Sequence, residues 1–342
     1  MSFPKRIQKT ASALFFGGIL LTESVNSQSI NPCPINKLAT GFMPSLTEKY
    51  ELEGSGIRVF YTRSGDHQIV DQTDANSDGV PDYVENVARQ ADAARKAFNL
   101  LGFRDPLESA RYRAASYIDI NLGNIAGNGL AYSEPASYSA VPQRDGACSI
   151  RIDISSRLDK FPGSWSVVSH EFFHLYQYGY MGFKRSWLLE PTANWAERVV
   201  RTGTLNPAPG AAKPLPASMA EMQSQVFTQS YPYDFWSRLA SFMDEADDLM
   251  HLPTDLRYAT YTDGTSIFKD GYVRGFAFLS TVLQSLEAES TVVSSLNGWP
   301  PYQWGENQSS ASHDERILKV IQRAVRRTGV RNYEIDSFLA IK

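Results

Sequence analysis

The chain has 342 residues, 33 Lys+Arg against 37 Asp+Glu, and a hydrophobic content of 42%. That composition supports a sizeable buried core and excludes collagenous, disulfide-dense and disordered classes. A net charge of -4 with both signs scattered along the chain lacks the basic footprint of a nucleic-acid binder.

The first segment reads as a targeting signal. Lys5, Arg6 and Lys9 precede an apolar stretch at residues 11–21, and Val25-Asn26-Ser27 supplies small residues suited to signal peptidase. Residues 1–27 are therefore expected to be a cleaved signal peptide, and the mature chain secreted or periplasmic. A membrane anchor needs about 20 apolar residues, and the polar run at 22–29 comes too early. No later stretch is long enough to span, so no stable membrane insertion is expected after cleavage. Export gives the two cysteines a meaning: Cys33 and Cys148 can pair in an oxidising compartment, although spacing alone does not show that they meet.

Residues 56–62 read as a strand, and residues 74–85 follow as a candidate calcium loop. The run D-A-N-S-D-G-V-P-D-Y-V-E fits the twelve-position EF-hand pattern. Asp74, Asn76 and Asp78 offer oxygens from alternate positions, Gly79 permits the sharp turn, Val80 offers its carbonyl, Asp82 a further oxygen and Glu85 a bidentate carboxylate. Val84, Val87, Ala88, Ala91, Ala94 and Phe98 continue as an amphipathic helix. No helix precedes Asp74, so a single structural loop is expected; the competing reading is an Asx-rich turn that only caps the helix. Residues 116–122 and 149–154 are strand-like, with Ile150, Ile152 and Ile154 alternating with polar partners.

The strongest chemical signal is H-E-x-x-H at His170, Glu171 and His174, in a chain with only five histidines. On a helix the two imidazoles lie one turn apart on one face and can share a zinc ion, while Glu171 addresses a water on it. Ser164 or Ser166 is expected to cap this helix and Gly179 to end it. Gln177 and Tyr180 stand where a metzincin would need Gly and His, so an acid from a second helix is the expected third ligand. Glu190 is chosen, with Pro191 read as a first-turn residue. Glu197, two turns on, is assigned to orienting a ligating histidine; an ion pair with Arg198 or Arg201 is the plainer alternative. Residues 204–218, rich in Pro and Gly, read as a surface loop. Helical patterns follow at 235–246, 272–286 and 317–327; in the last, Arg316, Lys319, Arg323, Arg326 and Arg327 read as a solvated face. Strands first and helices later predict an α+β fold.

H-E-F-F-H followed by W-L-L-E-P-T-A-N-W-A-E resembles the gluzincin branch of zinc metallopeptidases, closest to secreted bacterial metalloproteases of the myxobacterial type, which also carry an upstream D-x-N-x-D-G-x-P-D-Y-V-E stretch. The resemblance covers about residues 50–240. It implies a zincin-like fold: a mixed sheet and active-site helix in an N-terminal part, then a mainly helical half. Residues 28–100 would form an N-terminal segment carrying the calcium loop, packed on a catalytic domain at 101–342. Pro191 departs from the Gly of many relatives, and the interval from His174 to Glu190 is shorter than in thermolysin-like enzymes. The implied activity is hydrolysis of protein or peptide substrates with Zn2+ and Ca2+ as cofactors and Glu171 as general base. Tyr176, Tyr231, Tyr233 and His251 are candidate oxyanion donors, and residues 116–122 or 129–132 candidate sheet edges for substrate. The alternatives are a calcium-stabilised binding module with a structural or vestigial zinc site, and a zinc hydrolase of non-peptide amides.

Overall fold

Alternation along three parallel strands sets the architecture. The computed structural model describes residues 33, 41–138, 141, 143–197, 213–243, 250–268, 272–273 and 275–342; the expected signal peptide and most of the 204–218 loop lie outside them. β1 (Glu48–Leu52) pairs antiparallel with β2 (Ile57–Tyr61). After α1 (Asp82–Leu100), β3 (Tyr117–Gly123) lies parallel to β2, and β6 (Cys148–Ser155) parallel to β3. β4 (Gly129–Ala131) and β5 (Ala136–Ser137) run antiparallel along the other side of β6. The sheet is thus mixed, in the order β1-β2-β3-β6-β4.

Ile57, Ile118 and Ile150 stand abreast, as do Val59, Ile120 and Ile152, so these β-branched residues share one face. That face is fully buried in a common core with α1 and with α2 (Val167–Tyr180). The intervening polar residues are buried too, because they neutralise one another. Arg58 donates to both oxygens of Asp119, at 2.8 and 3.1 Å, and Arg144 adds a third bond to Asp119 at 3.0 Å. Asn121 donates to Asp153 at 2.6 Å, and the Arg144 guanidinium lies 3.5 Å from the centroid of the Phe60 ring. Buried charge of this kind persists only when paired in this way.

The second half is mainly helical: α3 (Ser186–Glu197), α4 (Met219–Met222) running into a π-helical turn (Gln223–Phe227), α5 (Tyr233–Met243), α6 (Thr254–Arg257), α7 (Phe276–Asn297), α8 (Asp314–Thr328) and α9 (Tyr333–Leu339). A short ribbon pairs β7 (Met250–His251) with β8 (Tyr272–Val273). The expected helix at 272–286 is displaced, since Tyr272–Val273 is strand. α7 runs between Gly275 and Gly298, both left-handed, which sets its ends. The apolar stripe of α8 is buried as its periodicity requires, but Arg316 and Arg323 are not merely solvated: both hold Glu289 of α7. Among the described residues no helix is long and apolar enough to cross a membrane.

All described residues belong to one compact unit, Asn31–Lys342. Cys33 and Cys148 are joined by a disulfide across 115 residues, tying the N-terminal arm to β6. Closing so long a loop restricts the unfolded chain, so Cys33→Ser/Cys148→Ser is expected to cost about 4 kcal/mol of unfolding free energy. Urea unfolding with and without reductant checks this; equal midpoints would contradict it.

Candidate metal centre

The four-residue spacing on α2 sets His170 and His174 on one helical face, with their Nε2 atoms 3.1 Å apart. α3 packs beside α2 and brings Glu190 to the pair: its Oε2 lies 3.3 Å from His170 Nε2 and 3.8 Å from His174 Nε2. Among the described residues this is the one group of three or more His, Cys, Asp or Glu side chains whose ligand atoms converge so closely. Donors bound about 2.0–2.2 Å from a tetrahedral zinc stand roughly 3.3–3.6 Å apart, and the observed separations of 3.1, 3.3 and 3.8 Å bracket that range.

The outer contacts decide which imidazole nitrogens face the centre. Glu197 Oε1 lies 2.6 Å from His170 Nδ1, and Glu197 Oε2 accepts from the Ser166 hydroxyl at 2.6 Å. Ser166 therefore orients Glu197 rather than capping α2, for which its side chain makes no bond. Gln177 Oε1 lies 2.7 Å from His174 Nδ1, while its amide donates to Leu189 O at 2.9 Å and Thr192 Oγ1 at 2.6 Å. With carboxylate and carbonyl acceptors at both Nδ1 atoms, those nitrogens carry protons and both Nε2 atoms point inward. Two Nε2 atoms and a carboxylate then face one another, an arrangement that calls for a proton or a cation between them.

In the sequence Gln177 counts only against a metzincin pattern; its bond to His174 is found in the structure. Its signal was its place three residues beyond His174, on the same face. It also locks α3 on both sides of Glu190, through Leu189 and Thr192.

Two helix expectations are corrected. α2 runs past Gly179 to Tyr180, because Gly179 is needed where the helix presses on Ser109, not as a terminator. α3 begins at Ser186, so Pro191 lies in its interior. Proline removes the bond to the carbonyl four residues back, that of Trp187, and the indole of Trp236 donates to this freed oxygen at 3.3 Å. Thr192 Oγ1 similarly bonds Leu188 O at 2.7 Å.

Electrostatics follow from the crowding. Burial opposes charge on His170, but its bonds to Glu190 and Glu197 outweigh that and raise its pKa to about 10. His174 is lowered to about 4 by burial and then by the neighbouring His170 charge. Burial raises Glu171 to about 7, opposed by His170 and reinforced by Glu190. Glu190 stays below the usual carboxylate range because the neighbouring imidazoles, His170 above all, outweigh its burial.

The centre opens into a cavity of about 480 Å3, walled by residues 127–131 on one side and, among others, by Asn194 of α3 and by Tyr231, which precedes α5, on the other. The candidate substrate edge at 116–122 is corrected: β3 is interior, between β2 and β6. β4 is the last strand in the order, and Leu130 forms its bonded pair with Asp153, so the Gly129 and Ala131 backbone groups face outward. A Cβ on Gly129 would lie 2.5 Å from Glu171 Cγ and 2.7 Å from Oε1, so only glycine lets Glu171 lie along this strand.

Of the oxyanion candidates, Tyr176 is buried away from the cavity, bonded to Asn99 and Arg95. Tyr231 lines the cavity. The side chains of Tyr233 and His251, and residues Arg198 and Arg201, lie outside the description. Tyr178, not foreseen, stacks on His174 with ring centroids 5.9 Å apart and also lines the cavity.

In the 74–85 loop, Asp74 accepts from the N–H groups of Asp78 and Gly79, and Asp78 from that of Val80. Asn76 reaches Asp78 at 3.0 Å and Glu85 at 3.4 Å. Asp82 turns one oxygen to the Ala75 N–H. α1 starts at Asp82, three residues before Glu85, because Pro81 supplies the extended residue preceding it. Comparison with family models, with curated proteins and with solved structures gives no match.

Gln177→Ala is expected to weaken zinc binding roughly 10–100-fold, read by chelator competition, with unchanged affinity as the contrary result. Gly129→Ala is expected to keep the zinc affinity of the wild type and lower turnover, because it displaces Glu171.

Proposed function

We propose that this chain is a secreted, zinc-dependent metallopeptidase of gluzincin type, with His170, His174 and Glu190 as zinc ligands and Glu171 as general base. The observation that carries the reading is the three-donor centre with a further carboxylate, Glu171, held against an edge strand in the same cavity. Three protein donors, not four, characterise catalytic zinc sites. When bound, zinc supplies a Lewis acid that polarises a carbonyl and brings the pKa of a coordinated water to about 7.

The chain's own residues do the rest. Gly129 and Ala131 offer outward main-chain groups on which an extended peptide can pair. Glu171 takes the proton of the attacking water and returns it to the leaving amine; a base near the working pH serves both steps. Tyr231, beside Glu190 at the cavity wall, is the placed candidate for donating to the developing oxyanion. Glu197 and Gln177 keep the imidazoles in their binding tautomers. Calcium at Asp74, Asn76, Asp78, Val80, Asp82 and Glu85 belongs to the same reading. It is supported by a buried Asp82 Oδ1 without a hydrogen-bond partner and by the buried Glu85 carboxylate, raised by its burial.

Glu171→Gln is expected to retain about one zinc per chain and to lose roughly 100- to 10,000-fold in casein hydrolysis. A variant as active as the wild type overturns the mechanism, and absence of zinc-dependent peptide cleavage in the wild type overturns the function.

A further inference from the structure

A second cavity, of about 340 Å3, adjoins the metal-centre cavity, and Tyr231 lines both. Its floor is apolar and buried: Pro216, Val226, Pro232 and Phe235. The rim is polar but uncommitted to charge. Ser224 spends its hydroxyl on Ala220 O at 3.0 Å, and Gln229 spends its amide on Ser224 O at 3.0 Å. Among the described residues no carboxylate lines the cavity, and Lys213 is the one charged residue that does.

The wall segment has an unusual backbone. Ser224, Gln225 and Val226 lie in the π-helical turn Gln223–Phe227, closed by the Thr228 N–H on Gln223 O at 3.3 Å. Such single turns are rare and concentrate at functional sites, since the widened turn re-aims side chains. The size is also informative. An apolar cavity of roughly 150 Å3 already holds a benzene ring, so this one accepts a single large side chain but no folded partner.

We propose that this cavity is a substrate subsite that receives an aromatic or large aliphatic side chain adjoining the scissile bond. The inference rests on the hydrolase reading for the word substrate, and on geometry for the choice of side chain. Tyr231 is the residue the two compartments share, lining both the metal-centre cavity and the second one. A chain whose carbonyl lies at the metal centre therefore passes Tyr231, and a neighbouring side chain drops onto Val226 and Phe235. The apolar floor of Val226, Pro232 and Phe235 favours Phe, Leu or Met over Ala or Gly, because burial of apolar surface drives the fit.

Two readouts test this on the mature, zinc-loaded and zinc-free protein. In the first, matched peptides differing only by Phe or Ala beside the cleaved bond give a ratio of kcat/KM, expected to be at least 10-fold in favour of Phe. Val226→Trp fills the floor and Gln225→Trp, on an exposed position, closes the mouth; each is expected to bring that ratio close to one. A merely structural role would lower both peptides together and leave the ratio standing. In the second, N-acetyl-phenylalaninamide is titrated into zinc-free protein and the Val226 methyl resonances are followed by NMR. They are expected to shift with this probe, not with N-acetyl-glycinamide, and not in Gln225→Trp. Peptide cleavage with an unaltered ratio and silent Val226 methyls overturns the subsite. Probe binding at Val226 without any peptide cleavage upholds the cavity's choice of side chain and overturns the hydrolase reading instead.

Discussion

Everything at the centre depends on one constraint: acceptors crowded together away from water need positive charge. Glu171, Glu190 and Glu197 converge with two imidazoles whose Nδ1 atoms are already engaged, leaving their Nε2 atoms turned toward Glu190. A low-dielectric surrounding magnifies such repulsion, so the fold either takes up a proton or binds a cation. The same crowding that raises His170 toward about 10 makes the position attractive to a divalent ion. Donor separations close to those of a tetrahedral set select a small ion with nitrogen and oxygen ligands.

The surrounding structure exists to hold that arrangement against its own repulsion. α2 is buried on nearly every side, with Phe173 and Tyr176 set among Phe98, Phe103 and Trp195. α3 is fixed at three points. Trp187 and Arg185 at its start bond Asp314 of α8, Gln177 bonds Leu189 and Thr192 in its middle, and Glu197 bonds His170 near its end. Glu190 thus sits on a helix that has little freedom to retract. The proline beside it removes a helical bond whose acceptor finds Trp236 instead, so the irregularity at the ligand is satisfied rather than left open.

What was legible in the sequence is what depends on local periodicity. The His170/His174 pair needs only 3.6 residues per turn, and the β-branched strands need only a period of two. Glu190 was reachable because a turn and a second helix fit the interval, and Cys33 with Cys148 was open until the fold joined them. The rest arises between elements. β4 is three residues long, too short for a period to show, yet it provides the edge beside Glu171. Gln177 and Tyr178 look like ordinary helix residues until α3 and the cavity meet them. Alternation marked Arg58, Asp119 and Arg151 as polar but gave no sign that a second layer, including Arg144, buries them. Pro191 reads as a first-turn residue in the sequence, since its tolerance inside α3 depends on an indole 45 residues away.

The central claim is that three named side chains hold one divalent ion. Metal analysis of the purified mature chain, beside Glu190→Ala and Glu171→Gln, tests it most directly. The account requires about one zinc per chain in the wild type and in Glu171→Gln, and its loss in Glu190→Ala. A folded wild type that takes up no zinc from a buffered supply, or zinc retained with undiminished affinity after removal of Glu190, contradicts it.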